Sequence, residues 1–94
     1  MKLLKKALCI GIDKYRQFPL NYAVSDAVSI ADILSMSEYK YEVEVLLDQN
    51  ATIREIKSKL QNIFEMNPDE IIIYFSGHAV IDKYSLYLVT FDAD

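Results

Sequence analysis

Scarcity sets the first limits on this chain. Its 94 residues include one cysteine, one histidine, two glycines and two prolines. A single cysteine cannot close an internal disulfide, and no Cys/His spacing resembles a zinc site, so a reducing compartment, the cytoplasm, is expected. No apolar run approaches the roughly 20 residues of a membrane span. The apolar stretch 7–12 behind the N-terminal lysines is six residues long and meets Asp13 without a small-residue cleavage site, so no signal peptide is expected. The formal charge of −4 is spread over the chain with no block of either sign. A nucleic-acid backbone is therefore not an expected partner, nor is a membrane, whereas a basic substrate is compatible. A glycine-rich phosphate loop, internal repeats, linkers and low-complexity tracts are missing too, which argues against a generic nucleotide-binding domain.

What is present is apolar and ordered. Residues Ile71, Ile72, Ile73, Tyr74 and Phe75 follow a Pro-Asp turn and lead into Ser76, Gly77 and His78. Five consecutive β-branched or aromatic residues read as a strand buried on both faces of a helix-covered parallel sheet. The lone histidine falls where the chain leaves that sheet, the end at which open α/β folds place ligands and catalytic groups. Any functional account has to explain His78.

The remaining elements follow from periodicity. Residues 6–12 form a near-continuous apolar run suited to a central strand, followed by a polar and aromatic loop over 13–19. Ala23, Ala27, Ile30, Ala31 and Leu34 recur at helical spacing, predicting a helix over about 21–37 with small residues toward the sheet. Residues 41–45 alternate apolar and charged, an edge strand that Leu46 and Leu47 extend. Thr52 with Glu55 is a capping box, opening a helix striped by Ile53, Ile56, Leu60, Ile63 and Phe64 that stops before Pro68. After the 71–75 strand, residues 86–89 make a fourth. Strand–helix alternation implies right-handed crossovers, hence a three-layer α/β sandwich with a mostly parallel sheet in the order 2-1-3-4. The fourth strand would leave an apolar edge for a C-terminal half of the domain or a second copy to cover.

Read together, Ala7 through Tyr15, Leu20 through Asp26 and Ala27, Leu46-Leu47-Asp48 with Ala51-Thr52, and Tyr74-Phe75-Ser76-Gly77-His78 resemble the opening half of the caspase and metacaspase cysteine peptidases. The likeness runs through almost the whole chain in the family's order, and is closer to metacaspases and bacterial caspase-like domains than to animal caspases. It implies that residues 1–94 are the N-terminal part of one caspase-like domain, incomplete at its C-terminal side. It also implies a Cys-His dyad acting on a peptide or protein substrate, with His78 managing the protons and the nucleophilic cysteine lying beyond this chain. Alone, the chain would then be inactive, and a non-catalytic interaction module is the alternative.

Further implications attach to single residues. Asp26 and Ser76 match positions that line the metacaspase pocket for a basic side chain, which implies cleavage after Arg or Lys. From the residues alone, Asp26 is equally a helix first-turn charge and Ser76 a turn hydroxyl. Ala79 stands where the family usually has a glycine whose N–H joins the oxyanion hole; a positive φ there would cost alanine on the order of 1 kcal/mol. Tyr22 also departs, occupying a position where the family tends to have a small residue. Calcium activates many metacaspases, but Asp82 is the only acid between His78 and Leu86, with Asp92 and Asp94 at the end. These cannot supply the six or more oxygen ligands that calcium takes, so no cofactor or metal is expected. Cys9, inside the first strand, is expected to be a protonated core thiol rather than a nucleophile.

Overall fold

The computed structural model describes residues 2–93. Its elements are β1 (Lys5–Gly11), α1 (Ala23–Leu34), β2 (Glu42–Leu47), α2 (Ile53–Glu65), β3 (Glu70–Ser76), β4 (Ala79–Ile81) and β5 (Leu86–Leu88), with short 3-10 turns at Asp48–Asn50 and Phe91–Ala93. β2, β1 and β3 form a parallel sheet in that order. Residues Lys6 to Gly11 pair with Glu42 to Leu47 on one side, and Lys5 to Gly11 pair with Glu70 to Ser76 on the other.

β1 is central because both of its edges are paired and both of its faces are covered. Leu8, Ile10 and Ile12 pack with Leu46, Ile56 and Ile63 on the α2 side. Cys9 meets Ala27 and Ala31 of α1 on the other. Burying each of the large aliphatic side chains contributes about 1.5–3 kcal/mol, so this strand anchors the fold. The alanine stripe Ala23, Ala27 and Ala31 is the buried face of α1, as the periodicity predicts, although the helix is shorter than 21–37 at both ends. At α2 the capping residue behaves as expected: the Thr52 hydroxyl accepts the Glu55 N–H at 3.2 Å.

Three expectations need correction. The charged positions of β2 are not its solvated face, because Glu44 is half-buried beside Lys59 of α2, 3.4 Å away, while Val45 is 39% exposed. β3 is not enclosed on all sides, because among the described strands only β1 pairs with it, and Ile73 is 43% exposed. Its apolar run gives it the capacity to be covered, but on the α2 side only Ile71 and Phe75 join the core. The fourth strand does not extend the sheet to 2-1-3-4. β5 turns back on β4 as an antiparallel hairpin, with Ala79 opposite Leu88, Val80 opposite Tyr87 and Ile81 opposite Leu86. The physical reason is chain length: residues 77–85 are fewer than the dozen or more that a parallel crossover requires. The open apolar edge therefore belongs to β3, not to a fourth strand.

Carboxylates close the remaining turns. Asp82 accepts the N–H groups of Tyr84 and Ser85, both at 2.8 Å, at the tip of the hairpin. Asp92 accepts the Ile53 N–H at 3.0 Å and the Thr90 hydroxyl at 2.9 Å, tying the C-terminal turn to the start of α2. Those donated protons favour the charged forms and hold both carboxyls below the usual aspartate value. None of the described helices is long and apolar enough to cross a membrane.

Candidate functional site

His78 is the second residue after β3, just past the C-terminal edge of the parallel sheet. Its imidazole is half-buried, and Nε2 lies 2.6 Å from the carbonyl oxygen of Phe18 in the loop after β1. A carbonyl can only accept, so Nε2 carries the hydrogen; in the neutral ring Nδ1 keeps the lone pair. The ring also lies 4.5 Å from the Tyr15 ring, tilted by 45°. His78 is thus held in one tautomer with one nitrogen able to take a proton.

The backbone of His78 is fixed by a different group. Val89 donates its N–H to the His78 carbonyl at 2.9 Å, the first bond of the β4–β5 ladder. The reciprocal bond, His78 N–H to Val89 carbonyl, is replaced by a bridge. The Tyr15 hydroxyl accepts the His78 N–H at 3.0 Å and donates to the Val89 carbonyl at 2.8 Å. Gly77 leaves room for this insertion, since a Cβ there would sit 2.5 Å from the Tyr15 hydroxyl and 2.9 Å from the Phe75 ring. Tyr15→Phe removes the bridge and leaves two backbone groups unpaired, an expected loss of about 1–3 kcal/mol in urea unfolding. Exchange of the His78 amide should accelerate in the same variant, and unchanged exchange would show that the bridge is not the amide's protector.

Ala79 begins the hairpin with an ordinary negative φ, because the described non-glycine residues with positive φ are Phe18, Lys40, Asp48 and Asn67. Alanine is therefore unstrained there. Bonds from Val89 to His78 and from Asp82 to Ser85 mark those facing residues as hydrogen-bonded pairs. By the alternation of an antiparallel ladder, Ala79 opposite Leu88 is a non-hydrogen-bonded pair, and its N–H points away from β5. Next to the imidazole, then, stands a backbone donor directed out of the hairpin.

Asp26 and Ser76 lie on one side of the sheet. Ser76, two residues on in β3, shares a face with Tyr74, which packs against the α1 side, and Asp26 stands exposed in the first turn of α1. No hydrogen bond or ion pair joins them. The N-terminal amides of α1 are capped from elsewhere: Asp13 accepts from Ala23 at 2.8 Å and from Val24 at 3.2 Å. Asp26 is thereby spared the capping role. Cys9 is fully buried, and desolvation pushes its thiol above the ordinary value. Because the folded value is the higher one, the stability it lends is present below the ordinary thiol range and lost as pH rises through it. A thiol reagent is expected to modify Cys9 only in denaturant; rapid labelling of the folded chain would contradict its burial. Among the described residues no group of three or more His, Cys, Asp or Glu side chains is placed to hold a metal ion.

Sequence reasoning finds His78 and misses what holds it. Tyr15 is readable as the end of the first family-like stretch, but nothing in the sequence says that its hydroxyl bridges two backbone groups. Phe18 contributes a carbonyl, which every residue has. Pro19 points the other way, since a residue before proline normally favours extended backbone, whereas Phe18 has φ 57°. Such outliers cluster at functional sites.

Comparison with known proteins adds one finding. A family model described as the caspase domain matches residues 4–93. No curated protein and no solved structure matches the chain.

Proposed function

The chain belongs to the caspase-domain family, and on that premise we propose that it is the N-terminal half of a metacaspase-type cysteine endopeptidase domain, with His78 as the general base. The observation that carries this reading is the Phe18 carbonyl on Nε2, which presents Nδ1 as the basic atom at the sheet's C-terminal edge. A thiol brought to Nδ1 passes its proton to the imidazole, and the thiolate attacks the peptide carbonyl carbon. The tetrahedral oxyanion accepts the Ala79 N–H. As the C–N bond breaks, the imidazolium gives its proton to the leaving amine, and water then hydrolyses the thioester. The thiol belongs to a cysteine outside this chain, since Cys9 is buried among Ala27 and Ala31. We assign the protein to the cytoplasm and place the other half of the domain, which would carry that cysteine, along the open edge of β3.

Asp26 and Ser76 form the pocket for a basic side chain in this reading. A carboxylate left free of capping duty can select Arg or Lys through a charge-assisted hydrogen bond. Asp26→Ala should weaken cleavage after Arg and Lys relative to a neutral residue. An unchanged preference would leave Asp26 as a first-turn charge only.

The test is labelling with a peptidyl-arginine acyloxymethyl ketone, applied to this chain and to the longest natural product of its locus, with mass spectrometry locating the adduct. Labelling of the longer product at a cysteine beyond residue 94, dependent on His78, supports the peptidase. Labelling of neither overturns it. A second reading, a non-catalytic interaction module, is favoured by the apolar hairpin, where Ile81 is 76% and Leu86 is 64% exposed.

A further inference from the structure

The loop that carries the Phe18 carbonyl is itself held from a distance. One carboxylate oxygen of Asp48, in the turn after β2, accepts the N–H groups of Asp13 at 2.9 Å and Lys14 at 3.0 Å. Two successive backbone amides converging on one anionic oxygen form a small anion nest. The Lys14 N–H and the Asp13 carbonyl belong to the same planar peptide unit and, in a trans peptide, point in opposite directions. Fixing the N–H therefore aims the carbonyl. That carbonyl accepts from Tyr15 and from Leu20, each at 2.9 Å, and so closes the loop 13–20 that contains Phe18.

Asp48 has φ 48°, a left-handed conformation that aspartate tolerates better than most residues and glycine adopts freely. It is also half-buried and lies 34 residues from Lys14 in sequence. A backbone bent into this conformation delivers the side chain to the loop.

We propose that Asp48 is a positioning residue for His78: by orienting the 13–14 peptide it shapes the loop so that the Phe18 carbonyl holds the imidazole as the Nε2–H tautomer. The catalytic meaning of that tautomer rests on His78 being the general base, whereas the tautomer itself needs no nucleophile to be measured.

The experiment is nitrogen-15 NMR of the His78 ring in this chain at a pH where the ring is neutral. The wild type should show Nε2 in the protonated range and Nδ1 in the unprotonated range. Asp48→Gly keeps the left-handed backbone and removes the carboxylate, and both ring nitrogens should move toward averaged positions. Asp48→Asn keeps an oxygen acceptor and should restore the wild-type pattern. If Asp48→Gly fails to fold by circular dichroism, Asp48→Glu, whose oxygens are displaced by one methylene, should show the same averaging. A folded Asp48→Gly or Asp48→Glu chain with the wild-type pattern overturns the proposal. Because the readout is a tautomer, a negative labelling experiment on the longer product would remove the peptidase reading without touching this result.

Discussion

His78→Ala, in the longest product of the locus, is expected to reduce peptide-bond cleavage by about 10²–10⁴-fold, the usual contribution of a positioned general acid–base group. The loss should fall on turnover rather than on folding. Among the described residues the imidazole makes one side-chain hydrogen bond, to the Phe18 carbonyl on an exposed loop where water can replace the ring, and one ring contact, with Tyr15. Stability should therefore drop by about 1–2 kcal/mol. The backbone bonds of residue 78, to Tyr15 and Val89, do not depend on its side chain and persist in alanine. Steady-state cleavage of an arginyl peptide beside urea unfolding separates the two effects. A variant that folds and still cleaves would remove His78 from the mechanism.

Gly11→Ala is expected to be the most damaging single-methyl addition for stability. Gly11 is the last residue of β1, and a Cβ there would lie 2.6 Å from the Ala23 carbonyl oxygen, 2.8 Å from the Ala27 Cβ and 3.0 Å from the Val24 Cα. Two of these three atoms are backbone, so no rotamer change relieves the contact, and the first turn of α1 must move away from the sheet. That turn is anchored by the Asp13 carboxylate, which would be pulled from Ala23 and Val24. An overpacking cost of about 3 kcal/mol, at the upper end of the usual range, is expected in urea unfolding. The double substitution Gly11→Ala with Ala27→Gly should recover only a minor part, because the tightest contact is with the carbonyl oxygen. Full recovery would mean that the side-chain contact alone matters.

The fold was legible where local chemistry and tertiary environment agree. The edge position of β2, the alanine stripe of α1 and the Thr52 cap each express the same preference in sequence and in structure, whereas the charged alternation of β2 does not carry through to its burial. The pairing of the fourth strand is not legible, because Leu86, Tyr87 and Leu88 have strand chemistry, which says nothing about which strand they will pair with. The span available between β3 and β5 settles that question in favour of a hairpin. The same limit applies to β3, whose apolar residues suit an interior strand but have only β1 beside them among the described strands.

At the site, the sequence by itself determined that one histidine leaves the C-terminal end of an apolar strand behind a glycine, and the order of motifs that marks the caspase domain. Tertiary structure alone decided how that histidine is held. Its partners are the Phe18 carbonyl, the Tyr15 hydroxyl and, through the loop, the Asp48 carboxylate. Carbonyls and amides are common to the whole backbone, so no residue identity announces which one will bind an imidazole. Segments 34 to 63 residues apart meet only because β1 brings the ends of β2 and β3 to the same edge of the sheet.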